Sequence, residues 1–203
     1  AYPDLLIKFA EIFKNITHLD IRCGIHFYYN IVKYMPEYFP NVKKLIINDR
    51  IYCNYIYIEE SWTLNIPLHI THLTLNNFNQ PVNIPENITH LTLGIDFNNQ
   101  IFLPVNLKCL VFDKYSQFNK DIIIPNGVNR LIFGKYFNQI VNIPNTVKYL
   151  EFGYAFNKFI TIPNSVVKLK VGRNFHRKVT IPNSVKYLHL DRNFDRSIDI
   201  PDS

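Results

Sequence analysis

The chain has 203 residues and a mass of 24.0 kDa; 47% of its residues are hydrophobic and 15% aromatic, so it can fill a core and is not a disordered protein. Alanine occurs 3 times against 28 isoleucines and 25 asparagines, which argues against an ordinary helical enzyme because alanine is the best helix former. The net charge of +6 permits an acidic partner or nucleic acid without requiring one, and no apolar stretch is long enough to predict a membrane span.

Residues 1–65 predict an N-terminal cap that contains two long leucine-rich rungs. Residues 4–14 have the pattern of a helix that covers the first rung. The segments NITHLDI around Leu19 and NVKKLII around Leu45 predict short strands. The long spacing between them leaves room for a helix or an irregular back segment. Residues 25–40 are the best candidate, and a helix there would end near Pro36 or Pro40 because proline cannot continue a helix.

Residues 66–203 predict a regular array of about seven repeats with a period of 19 residues. Three landmarks recur in fixed order, namely a leucine-centred strand pattern, a Phe-Asn pair and an Ile-Pro or Leu-Pro pair. The prolines of the last pair stand 18, 19, 21, 19, 19, 19 and 19 residues apart, at Pro67, Pro85, Pro104, Pro125, Pro144, Pro163, Pro182 and Pro201. Such a fixed period predicts a solenoid in which each repeat is one coil, or rung.

One rung, VKYLEFGYAFNKFITIPNS, shows the expected course of the chain. Its alternation predicts a strand with Leu150 pointing inward and Tyr149 outward. Gly153 allows a sharp turn, and Phe156 then returns to the interior. Pro163 ends the back of the rung at a place where no sheet N–H is required.

A lone rung cannot bury enough apolar surface to offset the entropy of ordering it, so the rungs must stack. Stacking predicts a parallel sheet, a phenylalanine spine and a ladder of the asparagines that follow the spine residues. The expected spine contains Phe97, Phe118, Phe137, Phe156, Phe175 and Phe194, with Phe112, Phe133 and Phe152 beside it. The expected ladder contains Asn79, Asn98, Asn119, Asn138 and Asn157, whose amides would satisfy backbone groups in the turn.

The pattern LxxLxFGxxFNxxIxIPNSV resembles the FNIP repeat, a leucine-rich-repeat variant of dictyostelid and giant-virus proteins. The best copies are LIFGKYFNQIVNIPNTV and LEFGYAFNKFITIPNSV, and the resemblance extends over about 66–203. It implies an α/β solenoid of the leucine-rich-repeat type, with short parallel strands on a concave face, a mostly extended convex side and a helical cap. Many viral members carry an N-terminal F-box that docks onto a cullin ubiquitin ligase; here any such module would precede Ala1. The rungs are also shorter than in many members.

In a solenoid of this type the outward residues of the strands form the usual binding face. The candidate partner-binding residues on this concave face are His72, His90, Arg130, Tyr149, Lys168, Lys170, Tyr187 and His189. Toward the C-terminus cations and rings alternate one strand apart, which predicts a basic aromatic patch held by cation-π contacts. The patch fits an acidic protein or a nucleic-acid backbone, and it fits equally well a solvated ladder that keeps the sheet from aggregating.

The sequence predicts no cofactor, no metal site and no catalysis. His72 and His90 should be neighbours, but Cys109 is the one plausible third ligand, so stacked imidazoles are expected. The three cysteines are far apart without a CxxC spacing, so we expect a reducing compartment, the cytoplasm, or the host cytoplasm of a virus. Sequence motifs of serine hydrolases, P-loop proteins, zinc proteases and dinucleotide-binding enzymes are missing.

Three functions remain open at this stage. The leading hypothesis is a non-enzymatic solenoid that binds a protein partner, and the family resemblance links it to substrate recognition in an F-box type ubiquitin ligase. The second is nucleic-acid binding through the basic patch. The third is a structural component that forms a homodimer through open solenoid ends.

Overall fold

The computed structural model describes residues 14–22, 39–48 and 66–191, and these residues form one parallel β-solenoid. Nine strands lie side by side in sequence order in a single sheet. Their bounds are β1 His18–Ile21, β2 Lys44–Asn48, β3 His72–Asn76, β4 His90–Leu93, β5 Cys109–Phe112, β6 Arg130–Ile132, β7 Tyr149–Glu151, β8 Lys168–Val171 and β9 Tyr187–Leu190.

The strands stay in register because each one centres on the same leucine. Leu73 of β3 pairs with Leu91 of β4, Leu131 of β6 pairs with Leu150 of β7, and the other neighbours follow the same rule. From β2 to β8 this leucine is buried while the residues on either side of it are partly or fully exposed. One face of the sheet is therefore core, and the other is open to the outside, as the period of two predicts.

A turn at the repeat proline sends the chain from the back of one rung into the next strand. The carbonyl of Pro163 accepts the N–H of Val166 at 3.0 Å, and the six other repeat prolines in the described residues bond the N–H three residues later in the same way. The proline needs no N–H of its own here, and its fixed φ suits the entry to a turn.

Phenylalanine rings fill the interior in two parallel columns. The column nearer the sheet, at Phe112, Phe133 and Phe152, has ring centroids 5.7 and 5.3 Å apart. The outer column runs through Phe97, Phe118, Phe137, Phe156 and Phe175 with spacings of 6.3, 6.2, 6.2 and 5.9 Å. Neighbouring strands lie about 4.8 Å apart, so the rungs diverge with distance from the sheet. This divergence makes the sheet the concave side of the solenoid. Phe194 lies outside the described residues.

The repeat glycines serve close packing between rungs and not a special turn conformation. Every described glycine has a negative φ, so the turn at 154–155 that follows Gly153 does not depend on the conformational freedom of glycine. A Cβ at Gly153 would lie 2.1 Å from the carbonyl oxygen of Gly134, and one at Gly172 would lie 2.1 Å from that of Gly153. Only hydrogen fits where successive rungs touch backbone to backbone.

The described residues contain no helix, so within them the α/β description given by the resemblance becomes an all-β one. The expected helices over 4–14 and 25–40 fall almost entirely outside the described residues, and the helical cap has no support in the structure. In the part of the chain that is described, no helix is long and apolar enough to cross a membrane.

Candidate functional site

The concave face carries two columns of side chains on either side of the buried leucines. The column after the leucine is half-buried over β2–β8 and changes from apolar and threonine side chains to charged ones. In β6 it presents Ile132, in β7 Glu151 and in β8 Lys170, which are in register with one another. The column before the leucine supplies most of the candidate binding residues. The two columns together form a rigid surface because each strand from β2 to β8 is bonded to a neighbour on both sides.

Arg130, Tyr149 and Lys168 form a stacked cluster across β6, β7 and β8. The guanidinium of Arg130 lies 4.1 Å from the centroid of the Tyr149 ring, and Nζ of Lys168 lies 5.3 Å from the same centroid. Both distances are within the range of a cation-π contact. Because β6 and β8 flank β7, the tyrosine ring takes one cation from each neighbouring strand.

Glu151 connects this cluster by hydrogen bonds to the column that follows the buried leucines. The Tyr149 hydroxyl donates to Oε2 of Glu151 at 3.0 Å, and Nζ of Lys170 donates to Oε1 of Glu151 at 2.6 Å. Burial raises the pKa of Tyr149, and the hydrogen bond to Glu151 and its charge raise it further. We define Arg130, Tyr149, Glu151, Lys168 and Lys170 as the basic aromatic cluster.

The alternation of cation and ring ends at β8. Tyr187 and His189 lie on β9, and Tyr187 is 64% exposed. Among the described residues no cation lies over the Tyr187 ring, although its Cα is paired with that of Lys168. The structure therefore brings six of the predicted concave residues into two clusters, the basic aromatic one and a histidine pair, and leaves Tyr187 and His189 apart as exposed side chains.

His72 and His90 form a histidine pair on β3 and β4. Their rings stack with centroids 4.0 Å apart and planes 8° apart. Thr71 and Thr89 each bond Nδ1 of the following histidine at 2.9 Å, which fixes both rings in the same orientation. Burial lowers the pKa of both histidines, and in His72 the neighbouring charge of His90 lowers it further.

The third ligand that a metal would need is not assembled around this pair. Cys109 is the register neighbour of His90, and burial raises the pKa of its thiol, which disfavours the thiolate form that binds metals. Within the described residues no group of three or more histidine, cysteine or acidic side chains could hold a metal ion.

The asparagines after the spine residues bond from rung to rung at the surface. Oδ1 of Asn138 accepts the N–H of Asn157 at 2.9 Å, and Oδ1 of Asn157 accepts that of His176 at 3.0 Å. The same bond joins Asn79 to Asn98, Asn98 to Asn119 and Asn119 to Asn138. These side chains are exposed or half-buried. At His176 the backbone N–H donates to Asn157 as in the other rungs, but the histidine side chain has no amide oxygen with which to continue the ladder.

Two further sets of polar contacts were missed by reasoning from the sequence. On the concave face Asn48 donates to Asp20 and Asn76 donates to Asn48, so a polar chain crosses β1, β2 and β3. At the proline turn Thr146 and Ser165 each donate to a carbonyl of the preceding rung, at 2.8 and 2.9 Å. The signal for the second set was present, since a small polar residue recurs two positions after most repeat prolines.

A third missed feature is a strip of exposed apolar side chains on the convex side, which we call the apolar strip. It consists of Phe102, Ile123, Ile140 and Phe159, which are 84%, 89%, 74% and 72% exposed. These residues stand four or two positions before the repeat prolines, on the outward side of the back segment.

Comparison with known proteins places these repeats in a family. The FNIP Repeat family model matches residues 118–155 and 137–174. The crystal structure of CroV588, a giant-virus protein described as a novel circular leucine-rich-repeat protein, is similar over 81% of this chain with 28% sequence identity and a TM-score of 0.51. The chain spans about a third of that protein, 32% of its length. None of the curated proteins compared with the chain matches it in sequence. The matched repeats, the parallel strands and the structural likeness together show that residues 118–174 consist of FNIP repeats and that the chain resembles a leucine-rich-repeat solenoid.

Proposed function

We propose that the chain is a non-enzymatic binding module that holds an acidic segment of a partner protein on its concave face. The observation that supports this most strongly is the preformed basic aromatic cluster. Arg130 on β6 and Lys168 on β8 have exposed side chains. Each lies over the ring of Tyr149 on β7, the strand between them. A cluster that is already rigid loses little conformational entropy when a partner binds.

The charges of the cluster favour a carboxylate-bearing ligand. Lys170 is paired with Glu151, whereas in the described part of the chain neither Arg130 nor Lys168 has a carboxylate within salt-bridge distance. The guanidinium of Arg130 offers the fork geometry that matches a carboxylate, and its stacking on Tyr149 leaves the edge of the guanidinium available for such a bond. Proteins of this repeat class are commonly interaction scaffolds, which agrees with this assignment.

The test is an affinity capture with the 203-residue chain from a cell extract of the source or its host, followed by quantitative binding of the recovered partner. The double variant Arg130→Glu with Lys168→Glu should weaken binding at least about tenfold, because two favourable charge contacts become repulsive. The matched control is Lys135→Glu with Lys158→Glu, which makes the same charge change away from the concave face. Equal loss in both double variants would show a general charge effect and refute the concave site.

Nucleic-acid binding through the same cluster is the competing proposal, and it makes a different prediction. Phosphate contacts by Arg130 and Lys168 would give an affinity for single-stranded RNA or DNA that falls steeply with salt. A titration of a labelled oligonucleotide at 50 and 200 mM salt separates the two proposals. If the site is specific for an acidic protein segment, the chain should not bind the oligonucleotide at either salt concentration.

The family resemblance adds a role for the bound partner. If an F-box accompanies these repeats in the full-length protein, the partner would be a substrate presented for ubiquitination in the cytoplasm. Co-purification of the full-length protein with an F-box-binding adaptor of the ligase would test this role. A homodimer through the solenoid ends is the structural alternative, and a molecular mass in solution that rises with concentration would favour it.

A further inference from the structure

The back segments of successive rungs are separated by open grooves because the rungs diverge. The spine rings are already 6.2 Å apart at Phe118, Phe137 and Phe156, which exceeds the strand spacing of about 4.8 Å that backbone hydrogen bonding requires. In agreement with this, no backbone–backbone hydrogen bond joins 139–143 to 158–162 in the described structure. Between the preceding pair of rungs a side-chain amide spans the gap, where Gln139 donates to the carbonyl of Asn119 at 3.1 Å.

Two of these grooves lie next to each other and have apolar rims. One lies between 122–126 and 140–145 and has a volume of about 480 Å³, and the next lies between 140–145 and 159–163 with about 440 Å³. Ile140 stands on the ridge between them, with Ile123 on the far wall of the first groove and Phe159 on the far wall of the second. Asn142 and Thr161 supply polar groups among the apolar ones.

The size of the apolar strip indicates the kind of partner. A large apolar side chain carries on the order of 150 to 200 Å² of surface, so the four residues expose about 500 to 600 Å². Patches of about this size are the largest that monomers usually expose and are often functional. A stable dimer needs about 800 Å² from each copy, so the apolar strip is too small for a second copy and suits a short segment.

The spacing of the grooves indicates the conformation of that segment. Neighbouring grooves are one rung apart, at least the 6.2 Å measured between the spine rings. Alternate side chains of an extended peptide are about 6.7 Å apart on one face. An extended peptide that crosses the rungs can therefore place side chains i and i+2 in consecutive grooves.

Arg177 adds a charge at one end of this surface. Its guanidinium lies 4.8 Å from the ring centroid of Phe159, and its Nε donates to the carbonyl of Asn157 at 3.2 Å. A guanidinium held in this way next to the second groove favours an acidic residue directly after the second apolar side chain of the peptide.

We infer that the apolar strip is a docking site for an extended peptide that places two large apolar side chains, two residues apart, in the neighbouring grooves and an acidic residue beside Arg177. This site is on the side of the solenoid opposite the concave face. The proposal does not rest on the proposed function, because the two sites are tested with different ligands and different variants.

The experiment uses the 203-residue chain and a fluorescein-labelled nonapeptide of serine, threonine and glycine that contains two phenylalanines two residues apart and one aspartate after the second. The comparison peptide has the same composition with the phenylalanines three residues apart. Fluorescence anisotropy should show that the first peptide binds at least about tenfold more tightly, which corresponds to the loss of one well-buried anchor. Equal affinities for the two peptides, or no binding of either, would overturn the proposal.

Variants of the chain locate the bound peptide. Ile140→Asp and Phe159→Asp should each reduce the affinity at least about tenfold, whereas Arg130→Glu on the concave face should leave it unchanged. Both strip positions are exposed, so circular dichroism should show folded variants, and the milder Ile140→Thr keeps the test valid if the aspartate variant unfolds. Unchanged affinity in all strip variants would overturn the proposal. A dimer in sedimentation that Ile140→Asp dissociates would also overturn it, because a second copy would then occupy the strip.

Discussion

At the scale of single residues, contact with the neighbouring rung limits the size of the side chain at the repeat glycine position. Gly134, Gly153 and Gly172 follow the strands of consecutive rungs, and each packs against the backbone of the rung before it. A Cβ added at Gly94 would likewise lie 2.7 Å from Cα of Asn76 and 2.8 Å from the carbonyl oxygen of Leu75. A residue that looks like a turn signal in one rung is therefore a contact residue between two rungs, which becomes visible only when neighbours are considered together.

Replacing Gly153 by alanine should destabilise the fold, because its Cβ would lie 2.1 Å from a carbonyl oxygen that is part of the neighbouring backbone. We expect a loss of about 2 to 4 kcal/mol in the free energy of unfolding, measured by urea denaturation. Gly127→Ala is the matched control, since the nearest atom to its Cβ would be 3.0 Å away and the next is the end of a flexible lysine. Equal losses in the two variants would contradict the packing explanation.

The histidine pair should make the stability depend on pH. The pKa of His72 and of His90 is lowered in the folded state, so below the unfolded pKa of about 6.5 the unfolded chain binds more protons. The stabilisation is complete above that pH and is lost as the pH falls through the lowered folded pKa. Thermal denaturation between pH 7.5 and 5 should show this loss.

The variant His72→Asn with His90→Asn should flatten that pH dependence without removing it, because burial also lowers the pKa of His69. His189→Asn, at an exposed position on the last strand, is the control and should keep the slope of the original chain. A slope that the double variant leaves unchanged would show that other groups determine the pH dependence.

At the scale of elements, one rung is joined to the next by several kinds of hydrogen bond. The strands pair in parallel, the asparagine ladder joins the corners near the spine, and the polar residues of the proline turn bond to the preceding rung. On the convex side the joints are side-chain amides. The backbone bonds are thus concentrated on the concave side, where the rungs are closest.

Asn138 tests the corner joint. Asn138→Ala removes the acceptor of the Asn157 N–H, and we expect a loss of about 1 kcal/mol and faster hydrogen exchange at the Asn157 amide. Asn138→Asp keeps an acceptor oxygen at the same place and should retain the protection. Fast exchange in both variants would mean that the amide is protected by something other than this bond.

The sequence predicted the strands of the rungs, their register and their buried residues, because all three follow from a repeat of 19 residues and an alternation of inward and outward side chains. It also predicted that His72 would lie beside His90 and Arg130 beside Tyr149. It could not show that Glu151 bonds both Tyr149 and Lys170, because that depends on side-chain rotamers. The apolar strip was missed for a different reason. Ile123 and Phe159 are exposed because they face outward in the back segment, but such residues from successive rungs line up into one strip only when the rungs are stacked.

At the scale of the whole molecule, the described solenoid has one continuous core in which each rung contacts its neighbours. Phe137 is near the middle of this core, with ring centroids 3.9 Å from Phe133 and 6.2 Å from both Phe118 and Phe156. The stability of such an array is close to a sum of rung and interface contributions, so a weak interface in the middle can uncouple its halves.

Phe137→Ala should therefore lower the stability by about 3 to 5 kcal/mol and divide unfolding into two steps. Guanidinium denaturation followed by circular dichroism should show two transitions, and hydrogen exchange should assign them to the two sides of the altered rung. Ile123→Ala is the control, because this side chain is exposed and its loss should leave a single transition. One shifted transition for Phe137→Ala would show that the solenoid unfolds as one unit.

The direction of the bonds between rungs has a mechanical consequence. They run along the axis of the solenoid, so the interfaces between rungs are loaded in series when the two ends are pulled apart. We therefore expect the rungs to open one at a time. Each released rung of 19 residues would add about 65 Å of extended chain. The regular array would thus lengthen in nearly equal steps when stretched, and its repeat period could be measured as a length under tension.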